Sequence, residues 1–134
     1  MQWESEKMLE IHQTNDISKY NNILENLSPG KQYEAVESYG RDGEVTGFAV
    51  YAYENDSVCI YHCEYGEDTA LCDGILRTVL FKACLKGIDK GVCHATNNGT
   101  NLFEKFRYGT PEVPYEVRSI SDFLDGCKKC KENS

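Results

Sequence analysis

The sequence predicts an α/β (α+β) fold in one domain, a mixed and mostly antiparallel sheet with helices on both faces. Three observations carry this expectation. Residues 33–65 hold three strand-like runs separated by turn signals, the pattern of a meander. The stretch SVCIYHCEYGEDTALCDGILRTVLFKACLKG, residues 57–87, reads as a buried strand, an acidic turn and a long helix. Residues 91–120 then read as a further strand, a shorter helix and a last strand. The strands before and after the long helix are expected to lie side by side and parallel, joined by a crossover.

Each element has its own signal. Residues 8–13 fit a short strand with Leu9 and Ile11 on one face, and a helix starting at Glu4 fits nearly as well. Asn15 or Asp16 suits a helix N-cap, with Ile17, Tyr20, Leu24 and Leu27 following at helical spacing until Ser28-Pro29-Gly30. After a strand at 33–39, Asp42-Gly43 predicts a two-residue hairpin with positive φ at both positions. The run 45–53 is apolar on both faces, Phe48, Val50 and Ala52 on one and Ala49, Tyr51 and Tyr53 on the other, as in a sheet covered on both sides. Asn55-Asp56 turns the chain into a strand at 57–65. Strict alternation there puts Val58, Ile60, His62 and Glu64 on one face and Cys59, Tyr61, Cys63 and Tyr65 on the other.

The helix at 69–86 carries the rows Leu71, Ile75, Val79, Ala83 and Leu76, Leu80, Cys84, a wide apolar stripe for docking on a sheet. Asp73 and Arg77 form an i,i+4 pair, and Gly87 suits the C-terminal cap. A strand at 91–96 precedes a helix from Thr100 or Asn101 with Leu102, Phe103 and Phe106 inward. Pro111 and Pro114 mark a loop before a strand at 115–120. The domain is expected over 1–125, with 126–134 a polar tail.

Composition narrows the partners. The chain has 134 residues, is 40% hydrophobic and carries a formal charge of -8. Such a surface repels phosphate backbones and anionic lipid, so neither nucleic acid nor membrane is expected as a partner. No run approaches the ~18 apolar residues of a membrane span, and MQWESEKMLEIHQ has no signal-peptide core, which points to the cytoplasm. The seven cysteines are then expected as thiols. Cys127 and Cys130 form a CxxC without a second pair, Cys93 and His94 being the remaining candidates to complete a site, and no metal is expected.

Two segments resemble a known family. ALCDGILRTVLFKACLKG is similar to the GIGxxLLxxxxxxAxxxG helix of the GNAT superfamily of acyl-CoA N-acyltransferases, with Gly74-Ile75 in place of its glycine-isoleucine. NNGTNLFEKFRYG is similar to that family's N-x-x-A-x-x-(F/Y)-Y-E-K-x-G-F segment. The resemblance implies that acetyl-CoA lies between the strand at 57–65 and the strand at 91–96. Its pantetheine would pair with main chain near Cys63 and Tyr65, and its pyrophosphate would sit at the start of the long helix near Asp73 and Gly74. Asn97 and Asn98 are the implied side-chain contacts after the second strand. His62 and Glu64 are candidates for the base that deprotonates an amine, and Tyr108 for the acid that protonates the departing thiolate.

The chain departs from the pattern at three places. Leu71 replaces the family's basic or amide residue, Leu76 replaces its second glycine, and Phe103 stands where many members have tyrosine. A leucine over the helix start would obstruct a phosphate, and Glu67, Asp68 and Asp73 would compete for the same place. The first reading is an acetyl-CoA-dependent N-acetyltransferase acting on a small cationic amine or a protein amine. The second is a degenerate member that binds a ligand or partner without chemistry. The third is a partner-binding domain pairing through a strand edge, with a homodimer one outcome.

Overall fold

The computed structural model describes residues 10–14, 16–95, 103 and 115–124. Six strands form one sheet in the order β1 (Glu10–Gln13), β2 (Tyr33–Tyr39), β3 (Val45–Glu54), β4 (Ser57–Glu64), β5 (Lys90–Cys93), β6 (Tyr115–Val117). Strand order therefore equals chain order. All pairings are antiparallel except β4 with β5. This is the mixed, mostly antiparallel α/β arrangement expected.

Two turns exchange the roles expected of them. Asn55 and Asp56 both have positive φ, +49° and +64°, and join Glu54 directly to Ser57 as a two-residue hairpin. Between β2 and β3 only Gly43 has positive φ, +86°, and the Gly40 N–H reaches the Glu44 carbonyl at 2.9 Å. That loop is one residue longer than Asp42-Gly43 implied, a turn followed by a single left-handed residue.

The expected first helix is two short pieces. Ile17–Tyr20 forms a 3-10 turn and Asn21–Leu24 a single helical turn, α1. Asp16 caps the 3-10 turn by accepting from the Ser18 N–H. Tyr20 then departs from helical ψ, and Asn21 and Asn22 are weak helix formers, so the run does not propagate.

The long helix α2 spans Thr69–Leu85, with Asp68 capping it by accepting from Leu71 N–H at 3.1 Å. Leu71, Cys72, Ile75, Leu76, Val79, Leu80 and Ala83 are all buried. Each large apolar side chain there is worth about 2 kcal/mol on burial, so packing rather than propensity holds the helix. The stripe packs on Val36, Ala49, Tyr51, Val58 and Ile60 of the sheet. The opposite face is covered by the 3-10 turn and α1, where Tyr20, Ala35 and Val50 are buried with Ile17, Ile23, Leu24 and Phe48 against them. β5 and β6 end earlier than expected, at Cys93 and Val117, and residues 120–124 turn helical. Phe103 is fully buried in the larger core.

β4 departs most from its expected pattern. Val50 pairs with His62 but Tyr51 pairs with Ile60, so Tyr61 is an extra residue in β4. This bulge reverses the alternation. Val58 and Ile60 face α2 before it, and Cys63 and Tyr65 face α2 after it. His62 and Glu64 therefore do not share a face with Val58 and Ile60, as strict alternation required. They lie across the sheet from α2, opposite Val50 and Phe48.

Candidate active site

The bulge is also where β4 parts from β5. Among the described residues their parallel register runs from Ser57↔Lys90 to Ile60↔Cys93, and the His94 N–H closes it on the Ile60 carbonyl at 2.8 Å. Beyond Ile60, β4 continues for four residues and delivers the chain through Gly66, at φ +62°, to the start of α2. A forked pair of strands thus opens beside a helix N-terminus, where main-chain amides and the helix dipole favour an anion.

His62 and Glu64 come together at this fork. The His62 Nε2 lies 3.7 Å from Glu64 Oε1. The His62 side chain is largely buried and that of Glu64 is exposed, 23% against 52%. Burial pushes the His62 imidazole below its ordinary range, and Glu64 opposes the shift in part. The ring is therefore neutral at pH 7 and has a nitrogen free to take a proton.

A column of rings fixes the imidazole in place. His62 stacks on Phe48 at 5.5 Å, and Phe48 stacks on Tyr20 at 4.2 Å. The Tyr20 hydroxyl donates to Glu37, a carboxylate only 1% exposed. Glu37 also receives Lys19 Nζ at 2.7 Å and the Tyr39 hydroxyl at 2.6 Å. Burial raises the Glu37 pKa, but the hydrogen bonds from Lys19, Tyr20 and Tyr39 outweigh it and hold the carboxyl below its usual range. On the other prong of the fork, His94 stacks flat on Tyr61 at 5.1 Å, and the Tyr61 hydroxyl donates to Glu54.

The remaining expected residues divide. Cys63 and Tyr65 are buried against α2, so only their main chain can meet a ligand. Asp73 is held by Arg77, whose Nε lies 3.0 Å from Asp73 Oδ2. Gly74 faces β1, and a Cβ added there would lie 3.6 Å from Ile11 Cδ1. Neither Asp73 nor Gly74 adjoins His62 and Glu64 among the contacts of the described residues. Leu71 and Leu76 are 5% and 0% exposed, so neither stands over the helix start as their places in the motif suggested. Asn97, Asn98 and Tyr108 lie outside the described residues, as do Cys127 and Cys130.

Tyr20 and Phe48 were expected from the sequence as packing residues, and neither they nor Glu37 were expected at the site. Glu37 had a signal, an acid in phase with Ala35 on a strand otherwise apolar on that face. The Tyr20-Phe48-His62 column had none, because it joins three separate elements.

This architecture has known counterparts. The chain is similar to a Klebsiella pneumoniae subsp. pneumoniae MGH 78578 protein assigned as an acyl-CoA N-acyltransferase, with a TM-score of 0.56 and 13% identity over 81% of this chain and 89% of that one. It is similar to the ribosomal-protein-S18-alanine N-acetyltransferase of Escherichia coli, with a TM-score of 0.50 and 14% identity over 81% of this chain and 88% of that one. Nourseothricin acetyltransferase matches at a TM-score of 0.48 and 19% identity, over 56% of this chain, which spans only 47% of that protein. No family model matches the sequence, and no curated protein matches it significantly. At such identities the likeness is one of fold: the chain has the fold of the GNAT acyl-CoA N-acyltransferases. Among the described residues, no helix is long and apolar enough to cross a membrane.

Proposed function

We propose that this protein is an acetyl-CoA-dependent N-acetyltransferase that acylates a primary amine, with His62 as general base. The observation that carries this reading is the bulge at Tyr61, which lies where β4 parts from β5 and is followed directly by the neutral, partly buried imidazole of His62. The fold likeness supports acyl-CoA as donor, and main chain at Cys63 and Tyr65 with the start of α2 would hold it. The side chains of Leu71 and Leu76 are turned away into the core, which removes the obstruction their places in the motif implied.

The residues divide the work by charge. Glu64 attracts the ammonium form of the acceptor. His62 takes one proton from it and leaves an amine lone pair. That nitrogen bonds to the acyl carbon of the donor while the carbon–sulfur bond breaks. The second amine proton passes to water as the amide forms, and the departing thiolate takes a proton for which Tyr108 is the candidate donor, itself reprotonated from water. A positioned base of this kind contributes about 10²–10⁴-fold.

A second reading has one observation in its favour. Phe103, at the place of a catalytic tyrosine in many family members, is fully buried. A domain that binds the donor without transferring its acyl group would have that feature.

One experiment separates the readings. The protein is titrated calorimetrically with acetyl-CoA and with CoA, and thiol release is then followed with an amine panel. Saturable donor binding with thiol release supports the transferase, and its loss by about a hundredfold in His62→Gln supports the base. Donor binding without release leaves the degenerate member. No heat at millimolar donor sinks the transferase and leaves a domain of this fold that binds another ligand or a partner.

A further inference from the structure

The groove beside His62 narrows the acceptor, an inference that rests on the reading above. It has a volume of about 340 Å³, at the small end for a ligand site. Tyr20, Val45, Thr46, Gly47, Phe48 and Glu64 line it. Phe48 is shared with the site, since its ring carries the stacked imidazole of His62.

The polar groups of the groove are mostly spoken for. The Thr46 hydroxyl lies 2.8 Å from the Ser38 hydroxyl. The Tyr20 hydroxyl is tied to Glu37, which also keeps its ring from swinging out. Lys19 reaches the groove, but its ammonium is 2.7 Å from the buried Glu37 carboxylate. Val45 is 41% exposed, a large apolar side chain left to water on the groove wall. What remains is an apolar trough with one carboxylate, Glu64, whose neighbour among the described residues is His62.

We propose that this groove takes the body of the acceptor, and that the acceptor is a small primary amine bearing one apolar, ring-sized substituent. The substituent covers Val45 and Phe48 while the ammonium meets Glu64, next to the base. A diamine fits badly. Its second ammonium would lose water against Val45 and Phe48, or face the ammonium of Lys19.

The test needs no acyl donor. The full chain is titrated with 2-phenylethylamine, with putrescine as a dicationic probe and with 2-phenylethanol as a neutral one, following heat and the His62 ring resonance. The expected result is that 2-phenylethylamine binds about tenfold or more tighter than either other probe. Val45→Lys puts a cation on an exposed wall without touching the core, and it should weaken that binding about tenfold while the melting temperature holds. Equal or tighter binding of putrescine, indifference to Val45→Lys, or no saturation by 2-phenylethylamine in the millimolar range would overturn the proposal. Donor binding is read separately. Amine binding without donor binding sinks the acyltransferase reading and leaves this one standing, whereas acyl transfer to putrescine alone does the reverse.

Discussion

At the scale of single residues, His62 and Gly47 give the sharpest expectations. Burial sets the His62 imidazole below the ordinary value of about 6.5, and Glu64 pulls it part of the way back. Glu64→Gln removes that pull, so the midpoint of His62 in an NMR titration should fall further. A midpoint that stays or rises would place Glu64 outside the electrostatics of the ring. Acyl transfer limited by this base should rise with pH through the same midpoint and then level. Gly47 has no room for a side chain: a Cβ there would come within 2.8 Å of the Glu64 carbonyl oxygen and 3.0 Å of Ile75 Cδ1. Because the first contact is backbone, Gly47→Ala should cost about 1–3 kcal/mol in denaturant unfolding and displace the end of β4.

At the scale of elements, β4 and α2 define the site jointly. Asp68 supplies the cap of α2, and Asp68→Ala should cost about 1 kcal/mol, read as a lower urea midpoint at unchanged slope. The stripe of α2 was legible in the sequence but for Cys72, buried though not in the expected rows, and Cys84, only partly buried, because seventeen residues of regular spacing leave little choice of buried face. The meander was legible too, from its turn residues. The bulge at Tyr61 was not. Alternation reads period two, and one inserted residue is invisible when both Tyr61 and His62 are amphipathic rings that suit either face. The error mattered, since it placed His62 and Glu64 on the wrong side of the sheet. The 3-10 turn and α1 were misjudged for a related reason: apolar spacing says which residues are inward, not whether hydrogen bonds propagate between them.

At the scale of the molecule, the part-buried histidines and the hydrogen-bonded acids Glu37 and Glu54 lean one way. His62 and His94 are both lowered by burial, so the unfolded chain takes up their protons first as pH falls, and stability declines below about 6.5. Glu37 and Glu54 are both held below the ordinary carboxylate range, so the stability they contribute is present above their unfolded values and is lost as pH falls through the folded ones. The signs agree. The melting temperature should be level near neutrality and fall continuously into acid, and Glu37→Gln should flatten the lower part of that fall while costing about 2 kcal/mol at pH 7. A melting temperature that rises on acidification would contradict the charge assignment of the core.

The sheet whose strand order equals chain order bears on how the molecule comes into being. Each strand pairs with the one before it in the chain, and the β2–β3 and β3–β4 hairpins close short loops, the condition for rapid folding. The groove draws only on residues 19–64, whereas one prong of the fork and all of α2 come later in the chain. During synthesis the antiparallel half can therefore condense, groove included, while the segment that completes the fork is still being made.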